Sequence, residues 1–297
     1  MITNYFNSAR SYCLWLILLS GLTWIPDRLQ ADQVSAELAM ENPANPLLEM
    51  RTSAGEIYLE MLPAEAPLNV ARVVALAAGE VEIFDADTGE NLLPRYYDGL
   101  SFHRVIPDFV IQAASPTLHP LGGPGEALPN EVNADALGLD TEPVLNRDGT
   151  VNSRLNVLNQ EDFADEVLRP LYQSMNIDDV TSLEDRLQAA LDRLQEMTIK
   201  SLYELQGYSF SSNFPTRPIA RGTLALVNSG PGSNGAEFFI ALSDLPTLTG
   251  KYTVIGRVVE GMEVVDQIGT TAINPTQFSR PGTIITSLQQ INGAEPD

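Results

Sequence analysis

Residues 102–112 read Phe102-His103-Arg104-Val105-Ile106-Pro107-Asp108-Phe109-Val110-Ile111-Gln112. Apolar and polar side chains alternate from Phe102 to Ile106 and again from Phe109 to Gln112, which predicts two strands. Pro107-Asp108 between them is turn chemistry, because proline presets its φ and aspartate tolerates a tight turn. Strand parity sends His103 to the face opposite Arg104 and gives it a structural role.

Upstream, two further hairpin strands are predicted at 47–52 and 56–62 around Ser53-Ala54-Gly55, with Ile57, Leu59 and Met61 alternating. A helix follows, with Asn69 as N-cap, a core stripe of Val70, Val73, Val74, Leu76 and Ala77, and a stop at Gly79. Residues 80–94 form a short insertion with an Asp87-Thr88-Gly89 turn. Downstream, strands are predicted at 223–228, 237–242, 253–259 and 283–291, with a helical turn at 264–268. Many short strands with few helices point to a β-barrel or sandwich. Between 133 and 218 the pattern changes. Leu183, Leu187, Leu191, Leu194, Met197 and Leu202 recur at helical spacing over 181–205, with Thr181 and Glu184 as a capping-box pair, and a weaker helix over 163–175 bends at Pro170.

The formal charge of −22, from 17 basic and 39 acidic residues, repels nucleic acid and anionic lipid, so nucleic-acid partners are excluded. Cys13 to Ile25 form an uncharged run behind Arg10, too short to span a bilayer comfortably. Residues 1–31 therefore read as a secretory signal peptide cleaved after Ala31, or as a membrane anchor if uncleaved. Polar, Pro- and Asn-dotted residues 32–46 read as a linker. Cys13 is the only cysteine, so the mature chain offers no disulfide, thiol catalysis or thiolate metal site. Two histidines placed as His103 and His119 do not make a metal site, and no cofactor is implied.

Three ordered motifs now become specific. The stretch 102–112 resembles the signature strand pair of cyclophilins. Arg221-Gly222-Thr223-Leu224-Ala225-Leu226-Val227-Asn228-Ser229-Gly230-Pro231, followed by Ser233-Asn234-Gly235-Ala236-Glu237-Phe238-Phe239-Ile240, resembles their second signature. Leu248-Thr249-Gly250-Lys251-Tyr252-Thr253-Val254-Ile255-Gly256 continues the match. The resemblance covers about 46–133 and 217–293. It implies a mainly β protein, a closed eight-stranded barrel capped by helices, spanning 47–293 and interrupted by a partly helical insertion at about 134–216. Gly230-x-Gly232-x-x-Gly235 also satisfies the dinucleotide fingerprint, but a strand rather than a helix is predicted after it, so the phosphate-binding context is missing.

The resemblance further implies a peptidyl-prolyl cis/trans isomerase, bacterial and exported to the periplasm or beyond. Its partners would be proline-containing segments of unfolded or flexible proteins, and it would contact a membrane only through an uncleaved N-terminus. The alternative is a proline-peptide-binding module with weak turnover. Rotating an amide against a barrier of about 18 to 20 kcal/mol needs no nucleophile and no metal. It needs a donor aimed at the prolyl nitrogen, whose lone pair returns as the bond twists. Arg104 is implied as that donor, Gln112 as its orienting partner, Asn228 as the backbone donor to the substrate carbonyl, and Phe109 as part of the proline cup. Val110, Val227, Glu237, Phe239, Thr247, Leu248, Tyr252 and Ile255 complete the implied substrate site. The sequence departs from the family at Thr247, where a tryptophan is usual, and at Glu237, where a glutamine is usual. Tyr252 and Ile255 stand at histidine and phenylalanine positions, and Ala113-Ala114-Ser115 replaces a glycine-glycine-acid run.

Overall fold

The computed structural model describes residues 31–274 and 282–292. The expected signal segment, apart from Ala31, lies outside the described residues. Eight strands form one antiparallel sheet: β1 (Leu47–Thr52), β2 (Gly55–Met61), β5 (Phe102–Ile106), β6 (Val110–Ala113), β7 (Thr223–Leu226), β8 (Phe238–Ala241), β9 (Val254–Glu260) and β10 (Ile285–Gln290). Their order is β10-β1-β2-β9-β7-β8-β6-β5. A separate small hairpin pairs β3 (Ile83–Asp85) with β4 (Glu90–Leu92).

The sheet curls strongly around a core that includes Met50, Leu59, Phe102, Ile111, Leu224, Phe238, Ile240 and Ile255. Helix α2 (Pro67–Ala78) closes one end with Val70, Val73 and Leu76, and α7 (Met262–Gly269) adds Val265 and Ile268. The expected closed barrel is corrected to an open, curled sheet. The residues leading into edge strand β5 meet the start of β10, through the Ser101–Ile284 bridge and the bonds from Phe102 N–H to Thr283 O, Ile285 N–H to Leu100 O and Gly99 N–H to Ile285 O. Farther along, Val105 exchanges both backbone bonds with Ile273 instead, so the outer edge of β5 is satisfied without a ladder to β10.

Two expectations about local structure change. Asn69 does not cap α2: the helix starts at Pro67, and Asn69 is buried inside its first turn. The cap comes from Glu131, whose carboxylate accepts Leu68 N–H at 3.0 Å and Asn69 N–H at 2.9 Å, placing negative charge on the positive end of the helix. The stretch 32–46 is no free linker. Residues Gln33–Ala39 form α1, capped by Asp32 and packed on β9, with Ala36 fully buried. Glu60, also fully buried, accepts Glu41 N–H, Asn42 N–H and Asn45 Nδ2–H, and Arg257 balances its charge at 2.9 Å.

The segment 134–216 is partly helical. Helix α3 (Gln160–Phe163) runs through a π-helical turn (Ala164–Leu168) into α4 (Arg169–Ser174). Pro170 has no N–H to give Glu166 O, and Gln206 Nε2 donates to that carbonyl instead, at 2.7 Å. The long predicted helix divides into α5 (Val180–Glu196) and α6 (Ile199–Leu205) at Met197-Thr198. Its capping box is Asp179 with Ser182, two residues earlier than the predicted Thr181 and Glu184. The segment has cores of its own, one around Val167, Leu171, Leu194 and Leu202 and another around Leu139, Ile199 and Tyr203. Its two ends meet where Asn133 N–H donates to Thr216 Oγ1 at 2.8 Å.

Candidate active site

One transverse row of the sheet places most of the chemistry. Arg104 is paired with Gln112, Gln112 with Phe239, Phe239 with Ala225, and Ala225 with Val254. Directly paired residues share a face of the sheet, so this row looks outward from the core. The apolar patch on that face contains Val110, Ala225, Phe239, Ala241 and Val254, with Phe109, Val227, Leu248 and Tyr252 packed against it. The Tyr252 ring stands edge-on to Phe239, with centroids 5.6 Å apart at 87°. Burial raises the Tyr252 phenol above its ordinary range, and the nearby Arg104 charge opposes that rise.

The polar end of the row is a linked set. Arg104 Nη1 donates to Gln112 Oε1 at 2.9 Å, and Gln112 Nε2 donates to Glu237 Oε1 at 2.5 Å. His103 Nε2 lies 3.1 Å from the same Glu237 oxygen. The register shifts between Phe102 and Arg104, a bulge at His103 that cancels the alternation expected there. His103 therefore joins the Arg104 network instead of turning away. Sequence reading missed it because a bulge leaves no period to read. Among the described residues no carboxylate pairs with Arg104, so its guanidinium keeps donors to spare.

The loop after β7 is held from beneath. Asn234, fully buried, donates through Nδ2 to Asn69 Oδ1, Pro129 O and Thr253 Oγ1. Val227 N–H donates to Glu237 O at 2.8 Å, and Asn228 Nδ2 to Lys251 O at 3.0 Å. Backbone N–H of Asn228 has no acceptor among the described residues. Gly230 and Gly232 take positive φ, of 135° and 64°, and β8 follows the loop where a nucleotide site would need a helix.

The structure brings Arg104, Phe109, Val110, Gln112, Val227, Phe239, Leu248 and Tyr252 to one patch, with Asn228 at its border and Glu237 behind Gln112. Thr247 occupies the half-buried turn next to Leu248. Ile255 is the correction: it is fully buried in the sheet's inner core, not at the pocket rim. Tyr252 and Ile255 are three residues apart, and an odd spacing along an extended chain puts side chains on opposite sides. Val254 takes the outward place, a residue that parity alone identifies. Among the described residues no group of His, Cys, Asp and Glu is arranged to hold a metal.

Known proteins resemble this chain over most of its length. Residues 47–290 match the family model described as cyclophilin type peptidyl-prolyl cis-trans isomerase/CLD. Peptidyl-prolyl cis-trans isomerase B of Streptomyces anulatus is 28% identical over 228 residues, which is 76% of this chain and 85% of that protein. Peptidyl-prolyl cis-trans isomerase ppi1 of Schizosaccharomyces pombe is 26% identical over 222 residues, covering 75% and 84%. A crystal structure of a Cryptosporidium parvum cyclophilin type isomerase in the presence of the dipeptide Ala-Pro is 17% identical and covers 83% of this chain and 99% of that one, with a TM-score of 0.45. A family match across nearly the whole described chain, on top of a guanidinium held beside an apolar cup, places this protein in the cyclophilin-type peptidyl-prolyl cis-trans isomerase family.

Proposed function

We propose that this protein accelerates rotation about X-Pro bonds in exported polypeptides and so assists their folding. The carrying observation is the row in which Arg104, fixed by Gln112, adjoins the Phe239 cup. The proline ring fills the cup of Phe109, Val110, Phe239 and Leu248. Gln112 Oε1 takes one Arg104 N–H, and the remaining donors meet the prolyl nitrogen as it becomes pyramidal. One charge-assisted bond contributes about 1.5–3 kcal/mol, whereas a hundred-thousandfold acceleration needs roughly 7 kcal/mol. Asn228 N–H on the substrate carbonyl and the exclusion of water by the cup supply the rest, because polar contacts strengthen in a dry site. Uncatalysed X-Pro isomerisation takes tens to hundreds of seconds, slow enough to limit folding.

Export rests on the apolar run 13–25 behind Arg10. Ala31 is buried against Leu47 and Tyr58, which favours processing upstream of it over cleavage immediately after it. An unprocessed N-terminus instead makes this a membrane-anchored isomerase. The segment 134–216 reads as an insertion in an isomerase domain spanning 47–293, supported by its separate cores and its adjoining ends. Two measurements test the reading. Exchange NMR on proline peptides with residues 31–297 should give turnover, and its absence leaves only a proline-binding module. N-terminal sequencing of the full chain recovered from a bacterial periplasm should find a shortened protein, and an intact Met1 in the membrane fraction overturns cleavage.

A further inference from the structure

The helical segment does more than pack on the sheet. A cavity of about 510 Å³ opens between it and the rim of the proline cup. Asn228, Lys251 and Tyr252 line one side, and Asp165, Glu166 and Tyr208 line the other. Two of these residues, Asn228 and Tyr252, already belong to the isomerase site. A substrate backbone held at Asn228 therefore runs beside this open cleft, within reach of a side chain flanking the proline.

The far wall is fixed. The π-helical turn that Pro170 terminates carries both Asp165 and Glu166, and Gln206 ties down Glu166 through its carbonyl at 2.7 Å and its carboxylate at 3.2 Å. Its charge is one-sided. Two carboxylates face one ammonium, and that ammonium is already committed: Lys251 Nζ sits 4.8 Å above the Tyr203 ring and 3.6 Å from Glu166. Asp165 pairs with Arg169, which does not line the cavity, and both are exposed enough for solvent to weaken the pair. Burial pushes the Lys251 amine below its ordinary range, and Glu166 opposes that fall.

We propose that this cavity is a specificity subsite, which takes a lysine or arginine side chain of the substrate flanking the proline. The inference rests on the isomerase reading above and adds to it a preference for basic sequence around the isomerised bond. The helical segment, not the sheet, supplies the acidic wall.

The test is a set of proline peptides in which Lys, Ala or Glu stands one, two or three residues to either side of the proline, assayed by exchange NMR with the full chain at low ionic strength. At one of these positions the Lys peptide should exceed its Glu counterpart in kcat/KM by about three- to tenfold, the range of a partly exposed ion pair gained against a like-charge contact. The difference should lie in KM. The double variant Asp165→Asn, Glu166→Gln should bring that ratio to one or below, since only Lys251 then remains charged. A ratio near one at every position in the unmodified protein overturns the inference without using any variant. A ratio that survives in the double variant overturns it too. Absence of turnover on all peptides sinks the isomerase reading and the inference together, whereas turnover without charge preference sinks the inference alone.

Discussion

His103 and Arg104, neighbours in sequence on one strand, both reach the Gln112–Glu237 pair, because the bulge between Phe102 and Arg104 removes the alternation that would separate them. Glu237 Oε1 accepts from Gln112 Nε2, with His103 Nε2 3.1 Å from the same oxygen. Gln112 must therefore turn its NH₂ toward Glu237 and its oxygen toward Arg104, the one orientation in which it holds the guanidinium.

Arg104→Ala should lower turnover by about a hundredfold, near 2.7 kcal/mol of transition-state stabilisation, with an unchanged fold. Among the described residues its side chain bonds Gln112 alone, and it is only half-buried. Turnover by exchange NMR, alongside the thermal midpoint, checks both halves. Near-normal activity in a folded variant would remove Arg104 from the mechanism.

Glu237→Gln keeps an acceptor oxygen for Gln112 and His103, and turnover should stay within about threefold. Glu237→Leu strips that acceptor from both. It should cost about 1–3 kcal/mol of stability for the orphaned donors and at least about tenfold in turnover, because Gln112 is free to flip away from Arg104. Equal activity in the two variants would mean that the amide orientation is set elsewhere.

Replacing residues 135–215 by a short Gly/Ser linker should leave a folded, active isomerase. Asn133 and Thr216 already touch, and the segment's cores are separate from the sheet's. Stability should fall, since Leu139 and Tyr203 close over Gly250 in the intact protein. A folded but inactive product would show that the helices help build the catalytic site itself.

Cyclosporin, which family members carrying the tryptophan bind tightly, should inhibit this protein poorly, and Thr247→Trp should tighten inhibition by roughly thirty- to a thousandfold, the range of an interface hot spot. Thr247 lies beside Leu248 of the cup but brings neither an indole donor nor a broad apolar face. Titrating the drug against both proteins decides it, and no gain in the tryptophan variant would displace residue 247 from the groove.

Asp108 holds φ at 60° in the turn closed by Phe109 N–H on Ile106 O. That is the position where a type II turn favours glycine. Asp108→Gly should raise unfolding free energy by up to about 1 kcal/mol, and Asp108→Val should lower it by about 1–2 kcal/mol. Denaturant midpoints at constant slope measure both, and the opposite order would show that the turn relaxes freely.

What the sequence determined by itself is local and periodic. Pro107-Asp108 encodes a turn, alternation on either side encodes two arms, and those arms necessarily carry Arg104 and Gln112 into register. The loop glycines and the strand after them likewise exclude a nucleotide site without any coordinates. Parity even separates Val254 from Ile255, though family resemblance pointed the other way. Tertiary structure decided whatever depends on residues far apart in the chain. Glu131 caps a helix 62 residues away, Ile273 takes the edge of β5 that a closed barrel would give to β10, and Gln206 supports the carbonyl that Pro170 abandons. None of these has a local signature, because a backbone group left open by its neighbours specifies only that some partner must come, not which one. The bulge at His103 and the cavity beside Asn228 are of the same kind: each exists only where two separately encoded elements meet.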